Sequence, residues 1–332
     1  MSLVEPTLVA MPEVVKDHLF QYLSYFDIAR LHKTCHDLRD YINVSRPDSR
    51  YHMIKVVQAA DNIQVNTMSE HRYDRTNSLV LKYRKRDGGF LVNASVYTTD
   101  DFRSCVDGVD YLEAFFRDFG MILQHQKSIL FEMEISPFNS RKQRSQFWKA
   151  MQKVFEESGR IRSQSCILKH VTAPDVISIL PFFDATCIED IKLIGMKDGQ
   201  VNPMDGIMEL EHWKNLKAVI LDDFSIGNMA QNIAHLNYFC CDTPALTVED
   251  VIQIKNLFFH PTQISRCHFV FRDLNIKQNL YNFLGPAEER GENVHVEKKK
   301  WSFQSPIGGQ ELKVTIFPAN EKLNIWFDRI IK

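Results

Sequence analysis

The chain has 332 residues, 44% of them hydrophobic and 25% charged, with a formal net charge of -2. That balance belongs to a folded protein with more chain than one core usually holds, and it offers no broad positive field to gather nucleic acid or an anionic membrane. The seven cysteines are odd in number, widely spaced and free of CxxC pairs, so they read as buried reduced thiols and not as a disulfide framework or zinc ribbon.

Met1 to Ala10 has no positive segment and is interrupted by Glu5 and Pro6. No apolar run nears the ~18 residues of a membrane span. The expected setting is cytoplasmic or nuclear, with no membrane.

Met11 to Ile42, "MPEVVKDHLFQYLSYFDIARLHKTCHDLRDYI", holds three short helical patterns. Pro12 suits a first helical turn, where its missing N–H costs nothing, and Glu13 complements the helix dipole. Val15, Leu19 and Leu23 recur at i, i+4 and i+8 with Phe20 alongside, giving one apolar stripe. Ser24 followed by Asp27 predicts a capping box that opens a second helix. Ile28, Leu31 and Cys35 continue the stripe, and Leu38, Tyr41 and Ile42 make a third apolar face.

This stretch resembles the F-box. Met11-Pro12 stands where the family has Leu-Pro, followed by Val15, Leu19, Phe20 and Leu23 at its apolar positions. Asp27-Ile28, Leu31 and Thr34-Cys35-His36-Asp37-Leu38 follow in register, with Met for Leu, Thr for Val and His for Arg as the departures. The resemblance implies docking on the Skp-family adaptor of a Skp–cullin–F-box ubiquitin ligase. The expected contacts are Pro12, Val15, Leu19, Phe20, Leu23, Ile28, Leu31, Cys35 and Leu38. Three short helices bury little among themselves, which agrees with a second apolar face meant for a partner.

Beyond Asn43 a helical pattern is expected around Tyr51 to Ala60. "SLVLKYR" and "FLVNASVY" then alternate on either side of "KRDGG", which predicts a β-hairpin over Ser78 to Tyr97. Thr98 to Val109, with Asp100, Asp101 and Gly108, reads as a loop. From Tyr111 a helix-like segment precedes a short β-rich run six times, from "SILFEMEIS" to "ISRCHFVFRD". That rhythm predicts a stacked α/β array. The strict leucine-rich-repeat ladder is absent, so the expected fold is a degenerate leucine-rich-repeat-like α/β solenoid behind a three-helix F-box. The tail from Val294 reads as a closing hairpin around Gly308-Gly309.

A second resemblance lies in "LQHQKSILFEMEI" (Leu123 to Ile135), "ILPFFDATCIEDIKLI" (Ile179 to Ile194) and "IMELEHWKNLKAVIL" (Ile207 to Leu221). These look like the FTH domain that follows the F-box in a large nematode family, in the same order and over about Asp110 to Asn282. The expected organisation is F-box 8–45, connecting helix and hairpin 46–109, FTH-like repeats 110–285 and C-terminal cap 286–332. The resemblance implies a protein-interaction module without catalysis.

Other constellations read as ordinary surface or core. His32, Cys35 and His36 are three potential ligands where structural zinc wants four, and Cys35 belongs to the apolar stripe. Lys298-Lys299-Lys300-Trp301, flanked by Glu292 and Glu297, reads as a solvated turn and not a nucleic-acid contact. Lys82, Arg84, Lys85 and Arg86 read the same way. Asp222-Asp223 and Glu209/Glu211 are too close in sequence to converge as an acid/base pair. Trp213 reads as an anchor between helix and sheet. No GxSxG, HExxH, GxGxxG or GxxxxGK[ST] occurs, and no Cys/His nucleophile context is visible. No metal, cofactor or catalytic residue is expected.

The function these readings imply is a non-catalytic, substrate-recognition subunit of the ligase. It would reach the cullin complex through the adaptor and hold an unknown target protein on the array. The alternative is a non-degradative scaffold for a regulatory partner such as an RNA-binding protein. Alternation places Ile129, Phe131, Met133 and Ile135 toward the helices and exposes Glu132 and Glu134. It also hides Val219 and Leu221. With Asp190, the exposed carboxylates predict an acidic target face that favours a basic partner.

Overall fold

The computed structural model describes residues 7–69, 78–96, 102–138, 140–196, 200–243, 246–260, 262–271, 276–288, 298–305, 309–319 and 321–331. Residues 1–6 of the opening stretch Met1 to Ala10, the loop at 98–101, Glu292, the hairpin entry at 294–297 and Gly308 lie outside them. The chain is built of helices and mixed β-sheet. It divides into two compact units, Met1–Gln164 with Phe182–Cys187, and Ser165–Pro181 with Ile188–Lys332. The division falls inside the stretch expected as one repeat domain.

The first unit opens with α1 (Glu13–Phe20), α2 (Tyr25–Leu31) and α3 (His36–Ser45). Ser24 caps α2 as its sequence predicts, accepting from Asp27 N–H at 3.1 Å and donating to the Asp27 carboxylate at 2.6 Å. Next come β1 (Met53–Gln58), β2 (Asn62–Met68), β3 (Leu79–Arg86), β4 (Gly89–Val96) and β5 (Phe102–Asp107). Each pairs antiparallel with the next. The β3–β4 hairpin stands where the alternation placed it, turning at Gly88, whose φ of 78° lies in the region glycine adopts freely.

Two expectations fail here. The helix at Tyr51 to Ala60 is instead β1, because Ile54, Val56 and Gln58 are buried at a period of two. The expected loop up to Val109 contains β5.

α4 (Tyr111–Gln124) follows, with Asp110 capping it through Leu112 and Glu113 N–H. β6 (Leu130–Ser136) then pairs parallel with β1, and α5 (Arg141–Ser158) packs on α4. Phe115, Phe119, Phe147 and Phe155 are fully buried and form much of this unit's aromatic core.

The second unit takes over within β7 (Ser163–Lys169) and continues through α6 (Ala173–Ile179), β8 (Asp190–Ile194) and the short β9 (Asn202–Pro203). α7 (Asp205–Met208), α8 (Glu211–Asn215), β10 (Ala218–Asp222), β11 (Phe224–Ser225) and α9 (Met229–Ile233) follow, then β12 (Tyr238–Thr243), α10 (Val248–Leu257), β13 (Arg266–Phe271) and α11 (Ile276–Leu284). β7, β8, β10, β12 and β13 lie side by side, parallel and in chain order. β14 (Lys299–Gln304), β15 (Gln310–Ala319) and β16 (Lys322–Ile331) close the unit as an antiparallel meander, with β16 against β13. The expected hairpin is therefore three strands.

The sequence dictates this layering through strict alternation. Ile191, Leu193, Val219, Leu221, Phe239, Cys241, Cys267, Phe269 and Phe271 are buried at every second position. α10 starts at a capping box, with Thr247 and Asp250 satisfying each other's backbone N–H, and presents Val251, Ile254 and Leu257 to the core. Each strand enters in the same way. The Glu189 carbonyl accepts from the amides of both Lys217 and Ala218, that of Lys217 from Asn237 and Tyr238, and that of Asn237 from Ser265 and Arg266. At the strand exits Gly195 donates to Asp222 O at 2.8 Å, and a Cβ on it would stand 2.8 Å from Asp223 Cβ. Only glycine permits that approach.

Candidate interaction surfaces

The α1–α3 bundle closes around Phe20, Ile28 and Ile42, with Leu23, Leu31 and Tyr41 packed against them. Tyr41 ties α3 to α1 through its hydroxyl, which donates to the Asp17 carboxylate and to the Glu13 carbonyl. Its ring lies 5.5 Å from that of Phe20, and Lys16 Nζ sits 4.4 Å above it. Burial first, and the Asp17 carboxylate second, push the Tyr41 phenol up to about 12.

These contacts sort the residues expected to meet an adaptor. Pro12, Val15 and Leu19 are exposed, and Leu23, Leu31 and Cys35 are half-buried. Phe20, Ile28 and Leu38 are buried inside the unit and hold it together, so they correct the expectation that they reach a partner. The exposed apolar groups instead include Val14 (79% exposed) on α1 and Tyr22 (75%) two residues after it, beside Val15 (42%) and Leu19 (39%). Helical spacing carried this signal, since Val15, Leu19 and Tyr22 stand at i, i+4 and i+7. Between α2, α3, β3, β4 and α4 lies a cavity of about 1040 Å3 lined in part by Ala29, Leu79, Leu81, Val92, Ala94 and Met121.

The expected acidic pair does not stand out on β6. The amides of Phe131 and Glu132 both donate to the His52 carbonyl, at 2.8 and 3.3 Å. The register with β1 begins at Glu132, as at the other strand entries, and Ile129 and Phe131 precede it. Leu130, Met133 and Ile135 are buried, whereas Ile129 and Phe131 face out, Phe131 stacked on His52 at 4.8 Å. Glu134 is only 7% exposed and pairs with Lys55 at 3.1 Å. Glu132 is half-buried in the first unit, while Asp190 is exposed in the second. Burial, then Glu189 beside it, raises the Asp190 carboxyl.

In the second unit the strand registers place three rows of side chains on the sheet face opposite the buried one. Lys192, Ile220, Cys240, His268, Trp326 and Thr315 form the middle row. Asp190, Ala218, Tyr238, Arg266, Asp328 and Lys313 flank it on one side, and Ile194, Asp222, Asp242, Val270, Asn324 and Phe317 on the other. Charges of both signs meet there: Arg266 pairs with Asp328 at 2.5 Å and Lys322 with Asp242. The face is charge-balanced and not acidic.

At its centre three strands bring together groups that no sequence window shows. Cys240 Sγ lies 3.5 Å from His268 Nδ1, and His268 Nε2 lies 3.0 Å from Asn324 Oδ1. The Trp326 ring stacks on the imidazole at 4.1 Å. These residues are separated by 28 and 56 positions, and only the β12–β13–β16 pairing makes them neighbours.

The remaining sequence candidates are accounted for by packing. His32 Nε2 bonds Asn43 Oδ1 at 2.9 Å. Among the described residues no group of three His, Cys, Asp or Glu is arranged to hold a metal ion. Trp301 is buried, with Nε1 donating to Gly285 O at 3.0 Å, so it is not free to stack on a base, and its run lies on β14 and not in a turn. Trp213 is buried in α8 and its carbonyl meets His235 Nε2 at 2.8 Å. No described helix is long and apolar enough to cross a membrane.

Residues 145–286 match the FTH domain family. The chain is also 21% identical over 183 residues to F-box A protein 224 of Caenorhabditis elegans. That likeness covers 53% of this chain and 46% of the relative, so it reaches less than half of the relative's length. No solved structure matches the chain significantly. The two matches support a kinship with the nematode F-box/FTH proteins, carried by the FTH domain at residues 145–286 and by the likeness to that relative.

Proposed function

We propose that residues 8–45 are an F-box that docks on a Skp-family adaptor, and that the second unit's parallel strands, a leucine-rich-repeat-like array, hold a target protein. The chain would then recruit a target to a Skp–cullin–F-box ubiquitin ligase, contributing proximity and orientation and no bond chemistry.

The observation that carries the reading is the apolar stripe of α1. Val15 and Leu19 on the eight-residue α1, and Tyr22 two residues after it, are exposed at i, i+4 and i+7, and Val14 is exposed as well, while the helix's inward contacts rest on Phe20. A surface of that kind, next to exposed Pro12, is what a partner covers. The acidic character once expected of the target face is replaced by rows of mixed charge around Tyr238, His268 and Trp326, and aromatic groups of this kind anchor interfaces. The test is titration of the full chain with a purified Skp-family adaptor. A stoichiometric complex is expected, and its absence overturns the reading. Recovery of cullin with that complex separates a ligase subunit from a non-degradative scaffold.

A further inference from the structure

Cys240 sits half-buried in the middle row of the open sheet face, and the groups around it are ordered by their hydrogen bonds. Asn324 Oδ1 accepts from His268 Nε2 at 3.0 Å. This bond holds the imidazole proton on Nε2 and leaves the Nδ1 lone pair pointing at Cys240 Sγ, 3.5 Å away. Asn324 is itself buried, and Trp326 lies nearly parallel to the imidazole, at 21°, which fixes the ring plane. A base, its orienting acceptor and a thiol in line are the parts that activate a nucleophile.

We propose that Cys240 is a primed thiol, with His268 as its base and Asn324 and Trp326 as positioning residues, that adds once to a soft carbon electrophile of the α,β-unsaturated carbonyl class.

The step balances without any oxidant. The Sγ proton passes to His268 Nδ1 as Sγ bonds to the β-carbon, and the carbon–carbon π pair moves onto the carbonyl as an enolate. The imidazolium then returns the proton to the α-carbon. The product is a stable thioether, so the protein reacts once per molecule. Acyl transfer does not fit the site. β12 is paired on both sides, with β10 and β13, and its amides serve the ladder and not an oxyanion. The inference stands apart from the adaptor reading, although an adduct here would put a bulky group in the centre of the open face.

Every facing group enters the titration. Burial raises the Cys240 thiol, with Asp242 and Asp222 adding to the rise, while the hydrogen bond from Tyr238 and the charge of Lys192 lower it. Burial lowers the His268 imidazole against Asn324 and Asp242, which raise it. The pair therefore rests neutral, and transfer occurs only on attack. An unassisted thiol with a raised pKa would react ever faster as pH climbs. A base-assisted one levels off once the imidazole is neutral.

The test treats the full chain with limiting N-ethylmaleimide for short times and maps the modified cysteines by peptide mass, with exposed Cys105 as the internal reference. Cys240 is expected to label at a rate that is level between pH 7 and 8, while that of Cys105 climbs. His268→Phe keeps a ring against Trp326 but removes the base, and should slow Cys240 relative to Cys105 by about a hundredfold. Asn324→Leu should slow it and Asn324→Asp, which keeps the acceptor, should restore it. The proposal is overturned if Cys240 stays unlabelled while Cys105 is consumed, or if its rate climbs with pH like that of Cys105. Unchanged labelling in both His268→Phe and Asn324→Leu overturns it too. The wild-type pH profile decides even where a variant fails to fold.

Discussion

In the α1–α3 bundle, Phe20, Ile28 and Ile42 form the closed core and the aliphatic groups of α1 stay outside. In β8, β10, β12 and β13 every inward side chain is buried, and the outward ones carry paired charges and stacked rings. The difference follows from element length and neighbours. A helix of eight residues has one stripe facing two short partners, whereas each central strand of the array is supported on both edges and covered by helices on one face. Apolar groups therefore stay exposed on the bundle, whereas the outward face of the strands carries polar groups that water can also wet.

Removing a core ring from the array should give the largest effect. Phe239 is fully buried on β12, 5.7 Å from Phe269, and Phe239→Ala removes the contacts that lock two neighbouring strands. A loss of about 3–5 kcal/mol is expected from chemical denaturation. A loss below about 1 kcal/mol would mean that this layer is not the packed core the burial describes.

The bundle should respond in the opposite sense. Val15→Ala with Leu19→Ala touches two exposed side chains, so melting should barely move. Adaptor affinity should nevertheless fall by about a hundredfold or more, because each aliphatic group covered by a partner contributes ~1.5–3 kcal/mol. Wild-type affinity in the folded double variant would remove α1 from the docking face. Leu23 is unsuited to this test, since it packs on the bundle core.

Glu134 sharpens the contrast between surface and core carboxylates. It stands in register with half-exposed Lys55, its ion-pair partner at 3.1 Å, on the face opposite buried Met133 and Ile135, and is still only 7% exposed. Glu134→Lys sets two amines together where one carboxylate stood and should cost about 1–3 kcal/mol of stability. Full stability together with lost target capture would restore Glu134 to the surface role its sequence position suggested.

That case shows where the sequence is legible and where it is not. The alternation in "AVIL" and the hairpin at "DGG" were readable because burial there depends on local period and turn chemistry. "MIKVVQ" suits a helix as well as a strand, because Ile54 and Val57 also fit a helical spacing and Gln58 is a buried polar residue. The inward–outward order of "SILFEMEIS" failed at Ile129 and Phe131, ahead of the register with β1, where the shared acceptor is the His52 carbonyl more than seventy positions upstream. Phe20 and Leu19 are neighbours in one apolar pattern, yet one is core and the other is surface, and only the packing of α2 and α3 decides which. Cys240, His268 and Asn324 carry no local signal at all.

The smallest expected effect concerns Tyr41, which ties α3 to α1 through the Asp17 carboxylate. Its phenol donates to Asp17 and to the Glu13 carbonyl, and burial with Asp17 holds it protonated up to about 12. An unfolded tyrosine ionises near ~10. The folded bundle therefore favours the protonated phenol, and this contribution is complete below about pH 10 and is lost as pH rises through about 12. Tyr41→Phe keeps the ring against Phe20 and the Lys16 contact but has no proton to donate. At neutral pH the cost should be at most about 1 kcal/mol. The rate of cleavage within residues 13–45 by an alkali-tolerant protease, mapped by mass, reports the bundle alone. Wild type should be cut more slowly than Tyr41→Phe at pH 9, and the two should converge as the pH approaches 12. Curves that stay parallel across that window would show that the Asp17 bond does not hold the helices together.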